Sequence, residues 1–404
     1  MPSKSILISG AGIAGPTVAF WLNAAGFQTT IVERAPRLRA GGYVLDFWGK
    51  GYDIAERMGL ADELKRAGYR MREMRIVDAR GERITGFGTR VFQDLTGGRF
   101  TTLARADLSR LLFERVRGQT EVLFGDEIVS LEERPGRIEA QFRHAGVRSF
   151  DLIIGADGLH SNVRSLAFGP QQQFETDLGY VVAAFETQAY RPRDENVYVI
   201  YSEPRQMVAR FALRGDRTLF LFVFTDDDGR SPAMPDPEAQ KAMLRRRYGG
   251  GWECAQILAC LDRTPDLYFD RVAQIKMPSW SRGRVALIGD AAFCVSLMAG
   301  QGSALAMTAA YVLAGELAKA GGRHDEAFRR YETLLRTFMD SKQKGAQRFS
   351  AAFAPRTRFG LFARNQVVRA CAIPGVAKLA LSRDIADTLE LPDYSWPALA
   401  RAAA

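Results

Sequence analysis

The sequence predicts an α/β fold: a Rossmann-like dinucleotide-binding domain, a second domain built on antiparallel sheet, and C-terminal helices. Three observations predict it. The first is Gly10-Ala11-Gly12-Ile13-Ala14-Gly15, set between an apolar strand and a helix. The second is a pair of later apolar runs that end in glycine beside aspartate, Gly155-Ala156-Asp157-Gly158 and Gly289-Asp290-Ala291-Ala292. The third is a switch to period-two hydrophobicity across residues 171–280, the mark of antiparallel strands.

Residues 5–9 read as a buried parallel strand, 13–25 as a helix and 28–32 as a second strand. Glycines in the connecting turn let backbone amides approach a pyrophosphate, and the helix start adds free N–H groups and its positive dipole end. Gly10, Gly12, Ala14 and Gly15 are therefore the candidate phosphate cradle. Glu33 ends the second strand about 20 residues past the glycines, where such folds place a ribose-binding acid, with Arg34 beside it.

A helix is expected over 52–68. Strands follow at 74–78 and 101–103, with a polar, glycine-rich excursion between them, then an amphipathic helix over 107–116. Strands at 121–124, 138–142 and 151–154 complete this part. In the next region strands are expected at 180–187, 196–201, 207–213 and 219–224. In the last, Phe220, Phe222 and Phe224 share one face while Leu219, Leu221 and Val223 share the other. A sheet apolar on both faces needs two covers, one of which can be a ligand pocket.

The segment 284–292 is an apolar strand ending at the acidic Asp290, and Ala299-Gly300-Gln301-Gly302 opens an apolar helix over 303–317. Residues 353–382 are aromatic and basic, with Arg356, Arg358, Arg364, Arg369 and Lys378. They read as one or two amphipathic helices broken at Pro374, packed over the domains or lying on a membrane surface. The expected division is 1–170 with 281–345, then 171–280, then 346–404.

At 404 residues the chain can hold two cores. Four cysteines without C-x-x-C spacing, and only three histidines, give no metal-site pattern. Reduced cysteines in a cytoplasmic protein are the simplest account. No signal-peptide h-region and no membrane-length apolar stretch is present. The net charge of +9 comes from scattered arginines whose one tight cluster is Arg245-Arg246-Arg247, without a nucleic-acid motif, so no nucleic-acid partner is expected. A basic surface can instead steer anionic NADPH or an acidic substrate.

In this order and at this separation, the three glycine-bearing motifs resemble the class A flavin-dependent aromatic hydroxylases, the para-hydroxybenzoate hydroxylase type. Gly41-Gly42-Tyr43-Val44-Leu45-Asp46, continuing through Gly51 to Gly59-Leu60, looks most like the tetracycline-inactivating branch. The resemblance covers residues 3–345. It implies FAD as cofactor, NADPH or NADH as cosubstrate, and O2. The implied reaction is hydroxylation of a hydrophobic or polycyclic aromatic molecule through a flavin C4a-hydroperoxide. The cofactor carries this chemistry, so no catalytic side chain is expected. By resemblance, Asp157 and Asp290 contact the cofactor, Asp290 at its ribityl or pyrophosphate region. Arg105 lies against it, Asp46 approaches the flavin and Arg39 approaches NAD(P)H. Amides at Gly300, Gln301 and Gly302 would face the flavin edge where negative charge develops.

No second G-x-G-x-x-G turn is present, so no separate NADPH domain is expected, and the W-x-W-x-I-P segment of flavin halogenases is absent. Where the family commonly has His and two prolines before the Gly-Gln-Gly turn, this chain has Phe293, Ser296 and Leu297. Their loss is expected to leave the loop freer and more apolar. The substrate pocket is expected between the antiparallel sheet and the flavin, lined by Phe185, Phe222, Phe293 and Met298. Two other readings stay open: a dehydrogenase, oxidase or reductase without oxygen insertion, and a low-turnover flavin-binding redox or ligand-binding protein. Beyond substrate and O2 the expected partner is at most a second copy, as monomer or homodimer. His144, His160 and His324 match no family role.

Overall fold

The computed structural model describes residues 4–39, 41–226, 236–264, 266–373, 375–376, 387, 389–394 and 396. Pro374 and Lys378 lie outside the described residues. A six-stranded sheet runs in the order Ser281–Arg282, Val285–Leu287, Leu152–Gly155, Ser5–Ser9, Gln28–Glu33, Glu121–Phe124. Its pairs are parallel except at the Ser281–Arg282 edge. Ile6, Leu7 and Ile8 are fully buried, as strands covered on both faces must be. Helices Ala14–Ala24 and Gly302–Lys319 pack on each other against this sheet, with Trp21 and Tyr311 ring centroids 5.0 Å apart. The first two motif strands are direct neighbours, Ser9 opposite Gly155, and the third lies next to them, Gly155 opposite Leu287.

The second sheet has seven strands in the order Tyr268–Ile275, Glu175–Gln188, Arg217–Thr225, Gln206–Ala212, Val197–Glu203, Glu73–Val77, Arg83–Gly88. It is mixed rather than purely antiparallel, because Val197–Glu203 pairs in parallel with Glu73–Val77. The excursion after the first βαβ unit is thus two strands of this sheet followed by helix Arg90–Leu95, so residues 73–88 belong with the second sheet. The expected helix over 52–68 is two helices, Lys50–Arg57 and Ala61–Ala67, parted at Gly59 with φ +74°. Glycine takes that left-handed position at a helix end without a Cβ penalty. The strand at 138–142 leaves the parallel sheet for a three-stranded antiparallel one with Ile128–Arg134 and Val147–Phe150.

Two helices that period-two reading passes over, Pro237–Arg247 and Cys254–Cys260, cover one face of the seven-stranded sheet. Its other face turns toward the loop before helix Gly302–Lys319, where Met298 joins an apolar cluster with Tyr180, Val182, Met207, Ala209 and Val223. The long helix His324–Phe353 lies against Gly302–Lys319, and Arg358–Ala370 packs on the sheet edge strand Arg83–Gly88. Among the described residues no helix is long and apolar enough to cross a membrane, and no group of three metal-ligating side chains occurs.

Candidate cofactor and substrate site

Gly10 has φ +106°, and a Cβ there would stand 2.6 Å from the Ala156 carbonyl oxygen. A Cβ on Gly15 would stand 1.9 Å from the Gly10 carbonyl oxygen. The first motif therefore turns tightly and seats itself on the second. A Cβ on Gly12 would meet only the Arg105 guanidinium, at 3.6 Å. The protein itself does not require glycine there; the open space beside a guanidinium and a helix N-terminus suits an anionic group approaching the backbone. Ala14 opens the helix, followed by Gly15 and Pro16, so its first turn offers unpaired N–H groups.

The acids of the motifs divide into two roles. Glu33 accepts from the N–H of Ala11 at 2.8 Å and of Ala35 at 3.0 Å, tying the glycine turn to the end of its strand. Each oxygen keeps a lone pair for ribose hydroxyls. Asp157 accepts from the N–H groups of Asn162 at 2.9 Å and Val163 at 3.1 Å and from the Ser161 hydroxyl, so it anchors helix Asn162–Ala167. The fully buried Arg164 of that helix donates to the Ala291 carbonyl at 3.0 Å, joining the second motif to the third.

Asp290 is only part-covered in accessible surface, yet burial pushes its carboxyl up, an effect Arg105 partly offsets. An enclosed acid that keeps accessible surface faces a cleft. Asp46 behaves alike: burial raises it, while Thr102 and Tyr198 donate to it, the Tyr198 hydroxyl at 3.4 Å. Gly300 takes the left-handed conformation with φ +66° beside Trp48, and Gln301 precedes helix Gly302–Lys319. Gly302 faces Asp290, whose carboxylate would lie 3.6 Å from a Cβ there. Gly12, Arg105, Asp290 and Gly300–Gly302 thus border one cleft. Arg34 and Arg39 are exposed on the loop that leads to Tyr43.

The expected substrate-lining residues are all buried in this structure. Phe185 and Phe222 are at most 1% exposed and stack at 5.9 Å beneath the Pro237–Arg247 helix, with Tyr248 against Phe222. Phe293 is buried with its ring 4.7 Å from that of Trp280. Met298 is 4% exposed, clamped between loop and sheet. The phenylalanine face of the strand Arg217–Thr225 is core; on the opposite face Leu219 and Val223 are buried too, and Leu221 between them is part-exposed beside the cleft. There the part-exposed Tyr43, Tyr198, Leu221 and Tyr268 meet, Tyr43 and Tyr268 with ring centroids 5.6 Å apart. Burial pushes the Tyr43 phenol up to about 12, and Tyr268 well above its usual value for the same reason. Both stay protonated donors at neutral pH. The only sequence signal for this wall was the Leu221 face of a two-faced strand.

The loop lacking His and prolines is pinned. The Gln343 side-chain amide donates to the Ile275 and Cys294 carbonyls at 2.7 and 3.0 Å, and that of Gln274 to the Val295 carbonyl at 3.0 Å. Ser296 has φ +106°, which proline cannot adopt, and its hydroxyl accepts from the Met298 N–H. Side-chain amides therefore hold this loop, and at Ser296 its backbone takes a conformation closed to proline.

A backbone cradle beside an arginine, a ribose acid and an enclosed aspartate form a donor and acceptor set suited to a diphosphate-bridged, hydroxyl-rich dinucleotide. Residues 3–340 match the model of a family described as FAD binding domain. The chain is 32% identical over 407 residues to a flavin-dependent monooxygenase of Legionella longbeachae, covering 96% of this chain and 98% of that protein. An uncharacterised Mycobacterium tuberculosis protein is 38% identical over 358 residues, covering 84% and 92%. The solved structure of tetracycline destructase Tet(55) superposes with TM-score 0.83 at 30% identity, covering 98% and 100%. The chain belongs to the FAD binding domain family of flavin-dependent monooxygenases: it is an FAD-carrying oxidoreductase.

Proposed function

We propose that the protein draws electrons from NAD(P)H and inserts one oxygen atom of O2 into a hydrophobic, polycyclic aromatic molecule. The observation that carries the substrate class is the group of part-exposed Tyr43, Tyr198, Leu221 and Tyr268, of which Leu221 and Tyr268 also pack in the cluster of Leu297 and Met298 that precede Gly300. FAD, when bound, supplies electron storage and oxygen activation. The chain does the rest. Gly12 and the start of helix Ala14–Ala24 hold the diphosphate, Glu33 the ribose, and Arg105 and Asp290 the connecting segment. Helix Gly302–Lys319 aims its first N–H groups and positive dipole end into the cleft, where they favour developing negative charge. Tyr43 and Tyr268, held protonated, offer hydrogen-bond donors to a substrate oxygen, while Leu221 and the ring faces exclude water. Arg39, exposed on the loop before Tyr43, supports a transient approach of NAD(P)H.

The test is NAD(P)H oxidation by FAD-loaded protein across polycyclic aromatics and small charged phenols, with products weighed by mass spectrometry. Polycyclic compounds should accelerate oxidation and gain one oxygen. A flavin that NAD(P)H does not reduce, or reduction without oxygenated product, removes the monooxygenation reading. Neighbouring residues locate the pocket. Leu221→Trp should raise KM roughly tenfold, the loss of about 1.4 kcal/mol of substrate contact. Phe222→Leu should instead lower stability by about 1–3 kcal/mol and leave KM alone.

A further inference from the structure

We propose that the outward face of helix Arg358–Ala370 is a docking surface for an anionic lipid bilayer. One side of this helix is spent on the protein. Val368 and the adjoining Cys371 pack with Phe87 and Met74 of the sheet edge and Phe92 of helix Arg90–Leu95, and Arg364 donates to the Ser202 hydroxyl at 3.3 Å. The other side carries Phe359, Phe362 and Val367, exposed at 78%, 59% and 61%. Phe359 and Phe362 stand three residues apart and Val367 eight from Phe359, spacings that share one helical face. Ile373 and Val376 extend the patch past the helix. Of the ten large apolar side chains that the described residues leave exposed, five fall between residues 359 and 376, and the other five are scattered. A concentrated apolar patch on an otherwise ordinary surface marks an interaction site.

Charge selects what covers it. From residue 341 to 383 the chain has nine Lys and Arg and no Asp or Glu, which accounts for its whole net charge of +9. Lys342 is paired with Asp387 at 2.7 Å, but Arg356, Arg358 and Arg369 are exposed. Arg358 and Arg369 lie eleven residues apart, about three turns, so they line the same flank of the apolar face. A second copy seated there would bring these arginines toward their own duplicates with no acid in the segment to meet them. A bilayer with anionic headgroups receives the arginines at its surface and Phe359 and Phe362 below it.

The test is co-sedimentation of the full-length, FAD-supplemented protein with vesicles of mixed phosphatidylglycerol and phosphatidylcholine, and with pure phosphatidylcholine. The expected result is binding to the anionic vesicles that weakens with salt and is at least tenfold weaker with neutral ones. Arg358→Gln with Arg369→Gln should weaken it by about fivefold for each arginine removed. Phe359→Ser with Phe362→Ser should weaken it at least tenfold, because both rings would leave the bilayer. All four residues are exposed, so thermal melting should not change and serves as the control for folding. Failure to sediment, equal binding to both vesicles, or binding indifferent to both variants overturns the proposal. So does a dimer in light scattering that the phenylalanine variant converts to monomer, because the face would then belong to a second copy.

Discussion

Gly10 and Gly15 are fixed by contacts within the protein, whereas Gly12 is not, and that difference separates folding from cofactor binding. Gly10→Ala puts a Cβ 2.6 Å from the Ala156 carbonyl oxygen at φ +106° and should cost about 1–3 kcal/mol of stability without any cofactor. Gly12→Ala meets only the mobile end of Arg105 at 3.6 Å, so the FAD-free protein should melt within about 0.5 kcal/mol of the parent while FAD binding weakens. Melting curves with and without FAD check both; equal losses without FAD would make Gly12 structural. Glu33 has a double role, because its carboxylate holds the Ala11 N–H at 2.8 Å as well as facing the ribose position. Glu33→Ala should weaken FAD by roughly 1.5–3 kcal/mol, a ten- to 150-fold rise in Kd, and Glu33→Gln by less. An unchanged Kd in a fluorescence titration removes the ribose role. Gly12 and Glu33 could be picked out in the sequence from motif spacing, and Arg105 and Asp290 only through the family resemblance. Tyr43, Tyr198 and Tyr268 were not: they come from separate segments that only strand pairing brings together, and no spacing links them.

The strand Arg217–Thr225 shows why an element can be read correctly and its function misplaced. Its alternation is plain in the sequence, but which apolar face is core depends on helices Pro237–Arg247 and Cys254–Cys260, which follow it in the chain and cover the phenylalanines. Period-two patterning carries no information about which side receives the cover. The turn from Asp290 to Gly302 is a second case. Replacing prolines suggests slack, yet the glutamine amides that pin this turn come from Gln274 on the strand Tyr268–Ile275 and from Gln343 on helix His324–Phe353. Ser296→Pro would force φ from +106° to near −65° and pull Leu297 and Met298 off the sheet. It should cost about 3 kcal/mol or more. Gln343→Leu should cost about 1–3 kcal/mol by removing its two bonds to the Ile275 and Cys294 carbonyls, the second of which keeps the Ile275 N–H at 3.1 Å. Urea unfolding checks both. A Ser296→Pro protein as stable as the parent would show that the turn readily takes the proline path.

Across the whole molecule, the parallel-sheet body and the seven-stranded sheet are joined beside the cleft by one titratable pair. His160 follows the Asp157-Gly158 turn, and its Nε2 lies 3.1 Å from both oxygens of Asp270, two residues from the cleft-lining Tyr268. Gln171 holds the other ring nitrogen at 3.2 Å and also donates to Glu175. The Asp270 hydrogen bond is the main cause holding the imidazole above its ordinary value of 6.5, against the opposing effect of burial. A histidine raised on folding adds stability that is full below its unfolded value and is lost as pH rises through its folded value. The window therefore opens above 6.5 and closes on the alkaline side of the raised value. The side chain is 41% exposed, so salt screens the pair and its contribution is modest. His160→Gln should lower the melting temperature more at about pH 6 than at about pH 9, and the difference should shrink as ionic strength rises through about 0.5 M. Equal losses at both pH values would mean that His160 acts through packing alone. Because Asp270 and Tyr268 share a strand, the charged pair also sets where the cleft wall stands relative to the glycine motifs. His160→Gln should then raise KM for the substrate at about pH 6 by a larger factor than it changes the FAD dissociation constant.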